Sequence, residues 1–219
     1  MHIEEARWIA QKLCNLRKEE ISPILNIGSS TGKYRVKLRP FIDSVIFSPL
    51  RERGIKIVHQ DIKSAEGINL VGDLTDQSFL NHLEKMHFKT ILCSNLLEHI
   101  ENRNKVADVL LKILSNEGYL IVTVPSKYPK HMDPIDTMFR PTINELSNMF
   151  YGTKVLDATL IDVGTIWSSL SKNWIGLIKL IVRITMPYYN YKGWSYAYNK
   201  MLWMFRQRTI SCVFLRKTM

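Results

Sequence analysis

The stretch Ile24–Arg35, ILNIGSSTGKYR, decides how this chain is read. An apolar run leads into a turn of small residues and then into a basic helix start. In such a turn, backbone N–H groups can approach a polar or anionic ligand closely. Three ligands compete for it: a nucleoside triphosphate, a dinucleotide and S-adenosylmethionine. A triphosphate loop needs four residues between its glycines, then Lys and Ser or Thr. Here Gly28 and Gly32 enclose three residues, and Lys33 is followed by Tyr34. A dinucleotide fingerprint needs G-x-G-x-x-G, but Ser30 and Lys33 occupy its second and third glycine positions.

Outward from this loop, apolar runs alternate with helical segments. Residues 3–20 have the spacing of an amphipathic helix. Strands are expected at 24–27, 55–58 (running on to His59, Gln60 and Asp61), within 68–76, at 89–94 and in the YLIVTVP run ending at Pro125. Pro40 and Pro49 keep the helices between the first two strands short. A helix from Asn102 is expected to close at Gly118. Thr142 with Glu145 three residues on forms a capping box. Residues 154–164 and 209–217 are the last two strands. This alternation predicts a doubly wound, seven-stranded, mostly parallel α/β sheet in one domain, 1–219. In such sheets a ligand sits at the carboxyl ends of the strands.

Composition adds limits. Cys14, Cys93 and Cys212 form no CxxC pair or Cys/His cluster, which suits a reducing, cytoplasmic setting without structural zinc. The opening MHIEEARW is acidic and lacks the apolar core of a signal peptide. The net charge is +10, yet none of the twenty acids and nine of the thirty Lys and Arg lie beyond Asp162. The excess charge is therefore concentrated in the last quarter, where an anionic partner is expected.

The strand ends carry the chemistry. Asp61 is placed to accept from both ribose hydroxyls, or it is a solvated loop aspartate. Asp73 suits an adenine amino group with Leu74 packed on the ring, or it is a turn residue. The fourth strand ends in CSNLLEHI, Cys93–Ile100. The order ILNIGSSTG, VHQD, VGDLTD, ILCSNLLEHI and EGYLIVTVP resembles the class I S-adenosylmethionine-dependent methyltransferases, in particular the type 11-like group whose fourth strand ends in Leu-Glu-His.

The resemblance implies a Rossmann-like fold and S-adenosyl-L-methionine as cofactor. It implies that Gly28, Ser29 and Gly32 wrap the methionine part and that Asp61 takes the ribose. Asp73 and Leu74 would take the adenine, with Ser94 and Asn95 beneath the sulfonium. Asn26 stands where the family usually has an acid, and Ser30 where it has a middle glycine. Affinity should suffer, and the bond that loses its charge is worth about 1–2 kcal/mol.

The loop after the fifth strand, SKYPKHMDPIDTMFRPT, resembles one in methyltransferases of bacterial cell-surface glycan (polysaccharide) biosynthesis clusters. His131 is the preferred general base and His99 the second, with Glu98 or Asp133 as partner. His99 also has a plain reading, as a helix-start residue packed beside the fourth strand. Asp133, Asp136 and Arg140 are expected to bind acceptor, Arg140 gripping a phosphate or uronate. Alternatively Asp136 and Arg140 pair within the loop. No metal is expected, because these ligand-type residues share one loop with no second contributing motif.

Residues 165–208 form a basic, apolar, aromatic insertion between the last two strands. Its apolar run is too short and too charged to span a bilayer. Lys179 and Arg183 share a helical face, and the aromatics favour a water–lipid boundary. A peripheral contact with an anionic inner membrane face is expected, or else a lid packed on the domain. Nucleic acid is disfavoured, because the charges are sparse among bulky aliphatics. The expected activity is methylation of a glycan or lipid-linked glycan. The alternatives are an RNA or small-molecule methyltransferase, and a non-catalytic interaction protein on the same fold.

Overall fold

The computed structural model describes residues 1–131, 135–171, 174–185 and 191–218. Its centre is β1 (Ile24–Ile27), whose four residues are all buried. A strand covered on both faces needs a continuous apolar run, and ILNI supplies it with Asn26 as the one polar member. To one side lie β2 (Ile57–Asp61) and β3 (Leu70–Val71); to the other lie β4 (Phe88–Ser94), β5 (Leu114–Lys127), β7 (Thr209–Lys217) and β6 (Thr153–Asp162). The order is β3-β2-β1-β4-β5-β7-β6. All pairings are parallel except those of β7, which is antiparallel to both β5 and β6. Ile24 is in register with Ile57 on one side and Thr90 on the other. The chain leaves β1 for β2 in one direction and later returns to β4 in the other, so a crevice opens beyond the carboxyl end of β1.

The alternation of β1 feeds two cores. Leu25 and Ile27 face a layer with Val58, Phe88, Ile91 and Cys93, covered by the helices Gln77–Glu84 and Arg103–Ile113. Ile24 faces the opposite layer with Leu92, Ile121 and Phe214, covered by Ala6, Ile9 and Leu13 of the helix Ile3–Cys14. Short helical pieces (Tyr34–Leu38, Pro40–Ile42, Asp43–Phe47, Ser48–Glu52) add Ile42, Ile46 and Leu50, as the two prolines dictate. The capping box at Thr142 forms as expected.

Several boundaries differ from the sequence expectation. The first helix ends at Cys14, and Lys18–Ile21 is a separate turn. The third strand is only Leu70–Val71. Gly118 is not a helix end: the helix stops at Ile113, and β5 starts at once with an irregularity between its pairings to Phe88 and Thr90. Nor does Pro125 stop β5. It pairs with Ile210 of the antiparallel β7, next to a register shift before Lys127, where a missing N–H is tolerated.

The insertion comprises the helices Ile166–Leu170, Trp174–Thr185 and Tyr191–Leu202. It has its own small core of Ile166, Leu170, Leu180 and Ala197, with Ile184, Trp203 and Met204 packed against it. No helix among the described residues is long and apolar enough to cross a membrane.

Candidate functional site

A cavity of about 1100 Å³ lies at the carboxyl ends of β1, β2, β4 and β5. Of the residues named from the sequence, Asn26, Gly28, Ser29, Ser30, Asp61, Asp73, Leu74, Ser94, Asn95, His99 and His131 all line it. Gly32, Asp136 and Arg140 do not. Asp133 lies outside the described residues.

The loop after β1 is shaped by close approaches. Gly28 has φ +60, and a Cβ there would come within 2.8 Å of the Leu96 side chain. Gly32 is instead pressed against the backbone of Glu66 and Gly67: its N–H donates to the Glu66 carbonyl at 2.8 Å, and a Cβ on Gly67 would sit 2.6 Å from its Cα. Gly32 therefore packs the back of the loop rather than wrapping a ligand. Ser30 takes the left-handed conformation itself, φ 55. Its N–H donates to Asp61 Oδ2 at 2.9 Å, while the Lys63 N–H donates to Oδ1 at 3.1 Å. Each Asp61 oxygen thus spends one lone pair on the backbone and keeps another for a hydroxyl. Asp73, which lines the cavity, accepts the Thr75 N–H at Oδ1 at 2.8 Å, a turn bond that uses one of its two oxygens.

Asn26 is 7% exposed, and its amide donates to His59 Nδ1 at 3.0 Å. Burial first, then the positive charges of Arg35 and Arg51, push the His59 pKa down to about 3. The pair is therefore neutral: a buried amide against an uncharged imidazole.

Two buried charged residues that support these strand-end loops were not anticipated. Arg35 reaches under the loop, with Nη1 donating to the Ser29 carbonyl at 2.8 Å and also to the Ser30 carbonyl, and Nη2 to the Gly67 carbonyl. Glu5 is fully buried, and its Oε1 accepts from Asn95 Nδ2 and from Thr123 Oγ1, both at 2.6 Å. That bond holds Asn95, whose φ is 51, at the end of β4. The signal for Glu5 was present: it precedes Ile9 and Leu13 by four and eight residues, so it is an acid on the buried stripe of an amphipathic helix.

The loop after β5 folds back onto the turn Leu97–His99. Thr137 donates to the Glu98 carbonyl through both its N–H and its hydroxyl, each at 2.9 Å, and His99 Nδ1 donates to the Ile135 carbonyl. Asp136 and Arg140 form a two-pronged pair, and Arg140 also donates to the Tyr128 and Phe139 carbonyls. Burial alone would raise the Asp136 carboxyl. The bonds from Arg140 and from the His131 and Met138 amides outweigh it and hold the pKa at about 2. Asp136 and Arg140 thus brace the loop rather than face an acceptor, which is the alternative pairing the sequence offered and corrects the acceptor-binding role.

The brace brings His131 to His99, with ring centroids 5.2 Å apart, and to Glu98 beneath them. Glu98 is 1% exposed, and neither carboxylate oxygen has a hydrogen-bond partner among the described residues. Burial raises its pKa to about 8. The expectation of no metal rested on a single ligand-bearing loop. The fold supplies the second segment, so that reasoning does not hold. Three basic residues, Lys130, Lys200 and Arg208, also line the cavity.

Among solved structures, the chain is similar to methyltransferases over nearly its whole length. A candidate sarcosine dimethylglycine methyltransferase from Galdieria sulphuraria aligns with a TM-score of 0.60 at 14% identity, over 97% of this chain and 84% of that one. Coclaurine N-methyltransferase, bound to N-methylheliamine and SAH, also aligns at 0.60, with 12% identity over 97% and 69%. The [4+2]-cyclase SpnF aligns at 0.56, with 14% identity over 99% and 80%. No family model matches the chain, and no curated protein matches it in sequence. The fold is the Rossmann-like fold of class I methyltransferases. A cyclase on the same fold means that function has to be argued from the site.

Proposed function

We propose that the protein is an S-adenosylmethionine-dependent methyltransferase. The observation that carries this reading is the junction of Ser30 and Asp61. The β1 loop and the acid ending β2 are locked together by one hydrogen bond, and both face one cavity. Asp61 would accept from the two ribose hydroxyls. Asp73 and Leu74 would hold the adenine, beside Ile62 and Ile68, which line the same end. The methionine part would lie along the Gly28 backbone, which Leu96 packs against where a Cβ would otherwise stand, and Asn95, fixed by Glu5, would lie beneath the sulfonium. The bound cofactor supplies an electrophilic methyl group whose leaving group is a neutral thioether. The protein's share is then largely alignment, with an acceptor held in line at the His99–His131 side.

The acceptor we favour is an anionic glycan or lipid-linked glycan at a membrane surface. Its support is the basic wall of Lys130, Lys200 and Arg208 together with the outer face of the insertion. On the helix Trp174–Thr185, Ile175, Ile178, Ile181 and Val182 are each about half exposed, with Lys179 and Arg183 exposed among them. Such a face suits the boundary of an anionic bilayer.

Calorimetry with S-adenosylmethionine tests the cofactor reading. Wild type should bind saturably, and Asp61→Ala should lose about 1–3 kcal/mol, the range for unmade bonds to a charged group. A folded wild type that shows no binding at millimolar cofactor would overturn it.

A further inference from the structure

We propose that Glu98, His99 and His131 form a binding site for a divalent first-row transition ion on the acceptor side of the cavity. One ligand atom from each residue lies within 4.8 Å of the other two. An ion bonded at about 2.1 Å to each needs ligand atoms roughly 3.0–3.5 Å apart, so the widest pair has to close by up to about 1.3–1.8 Å. Two imidazoles and a carboxylate are a borderline donor set, suited to zinc, ferrous or manganous ions rather than to calcium. Three protein ligands leave coordination positions open, and all three residues line the cavity.

Two further observations point to an ion rather than to an accidental cluster. Glu98 is almost wholly buried, yet both its oxygens lack a hydrogen-bond partner among the described residues. Buried carboxylates are normally paired, hydrogen-bonded or metal-bound, and an orphan of this kind calls for an explanation. Both histidines also sit against groups of the kind that orient ligand histidines. Asp136 Oδ2 accepts from the His131 backbone N–H at 3.0 Å and lies 3.1 Å from its Nδ1, an ion-pair approach rather than an aligned hydrogen bond. The Ile135 carbonyl accepts from His99 Nδ1, which fixes the tautomer and leaves Nε2 toward Glu98 Oε1, 3.9 Å away. The Asp136–Arg140 brace thereby gains a purpose, because it holds the backbone of a ligand residue.

The use of the ion rests on the methyltransferase reading; the ion site itself does not. An acceptor hydroxyl bound at an open position would give its proton to water. Its oxygen would then form the new bond to the methyl carbon as the carbon–sulfur bond breaks, releasing the neutral thioether.

The test is calorimetric titration of ZnCl₂, and separately MnCl₂, into the full chain stripped with EDTA, without cofactor. One ion per chain is expected. Glu98→Gln, His99→Ala and His131→Ala should each weaken it at least tenfold, and Asp136→Asn by about 10–100-fold, the usual cost of an outer partner. Circular dichroism checks folding. If one variant fails to fold, the other two ligand variants carry the test. Absence of saturable binding by the wild type would overturn the site, as would affinity unchanged in the folded ligand variants. Cofactor calorimetry on the same samples keeps the two readings separate: cofactor binding without ion binding would sink only the ion site.

Discussion

Replacing Arg35 by Met should loosen the loop after β1, proposed to hold the cofactor, without touching the cavity wall opposite. The guanidinium is 4% exposed and donates to the carbonyls of Ser29, Ser30 and Gly67. It therefore ties the front of the loop to the Gly67 backbone on which Gly32 rests. Met fills much the same volume but donates nothing. Each buried acceptor left without a donor costs about 1–3 kcal/mol, and water at the cavity edge can serve some of them. A net loss of about 2–4 kcal/mol in folding stability is expected. Ser30 is held in a left-handed conformation that costs on the order of 1 kcal/mol for a non-glycine residue. Without Arg35, relaxation of that strain competes with the closed loop. Cofactor affinity should fall roughly 5–30-fold, which is about 1–2 kcal/mol. Arg35→Lys keeps the charge but loses the planar fork, and should fall between the two. Urea denaturation reads stability, and calorimetry with S-adenosylhomocysteine reads affinity. An Arg35→Met protein with wild-type midpoint and wild-type affinity would refute the assignment of Arg35 as the support of the loop.

Two other outcomes follow from the structure. His59 has a folded pKa of about 3, against 6.5 when unfolded. The unfolded chain therefore binds more protons between those values, and stability is complete above pH 6.5 and lost as pH falls toward 3. From pH 6.5 to 5 the loss is at most about 2 kcal/mol. His2 shifts in the same direction and Glu98, raised to about 8, in the opposite one, so His59→Gln is read against wild type by its own share: it should remove up to about 2 kcal/mol of acid-induced loss between pH 7 and 5 in urea titrations, and an unchanged pH slope would contradict it. Lys179→Glu with Arg183→Glu should weaken flotation with anionic liposomes by at least 2 kcal/mol, about 1 for each charge removed, while cofactor affinity stays as it was; equal recovery of the wild type with neutral, anionic and no liposomes would make the insertion a lid.

Much of the sheet was legible because parallel strands are simple in sequence. ILNI and the run around Ile91 are short, apolar and bounded by turns, and their order gave the fold class directly. The errors fell where tertiary pairing overrides local signals. Gly118 resembles a helix end, but the pairing of Leu114 with Phe88 captures the chain four residues earlier. Pro125 resembles a strand end, yet β7 accepts it next to a register shift. Cavity-lining residues were legible because they follow strands. Those that support them were not. Arg35 lies five residues beyond Ser30, and Glu5 contacts Asn95 ninety residues away. Arg140 was legible as a cation, but only the folded loop shows that Asp136 takes both prongs of its guanidinium.

The two departures from the family pattern, Asn26 and Ser30, look like defects in the sequence, and the structure answers each. An acid at position 26 would attract the cofactor's ammonium group. Asn26 gives up that charge, but it stands beside an imidazole that burial and two arginines keep neutral. An acid here would face that ring's Nδ1 lone pair, which accepts the Asn26 amide in the present arrangement. Asn26 and His59 therefore form a matched pair, and the lost attraction is the cost of that match. Ser30 gives up the free φ of glycine, but its N–H is tied to Asp61 and its carbonyl to Arg35. A strained residue held at both ends is over-determined, the condition under which such strain persists at a working site. Ser30→Gly would relieve the strain and add chain freedom together. The fold should change little in stability, and the loop should lose order before the cofactor arrives. A slower, entropically costlier association would fit the tethered loop; tighter binding would mean that the tether, and not the glycine, is the defect.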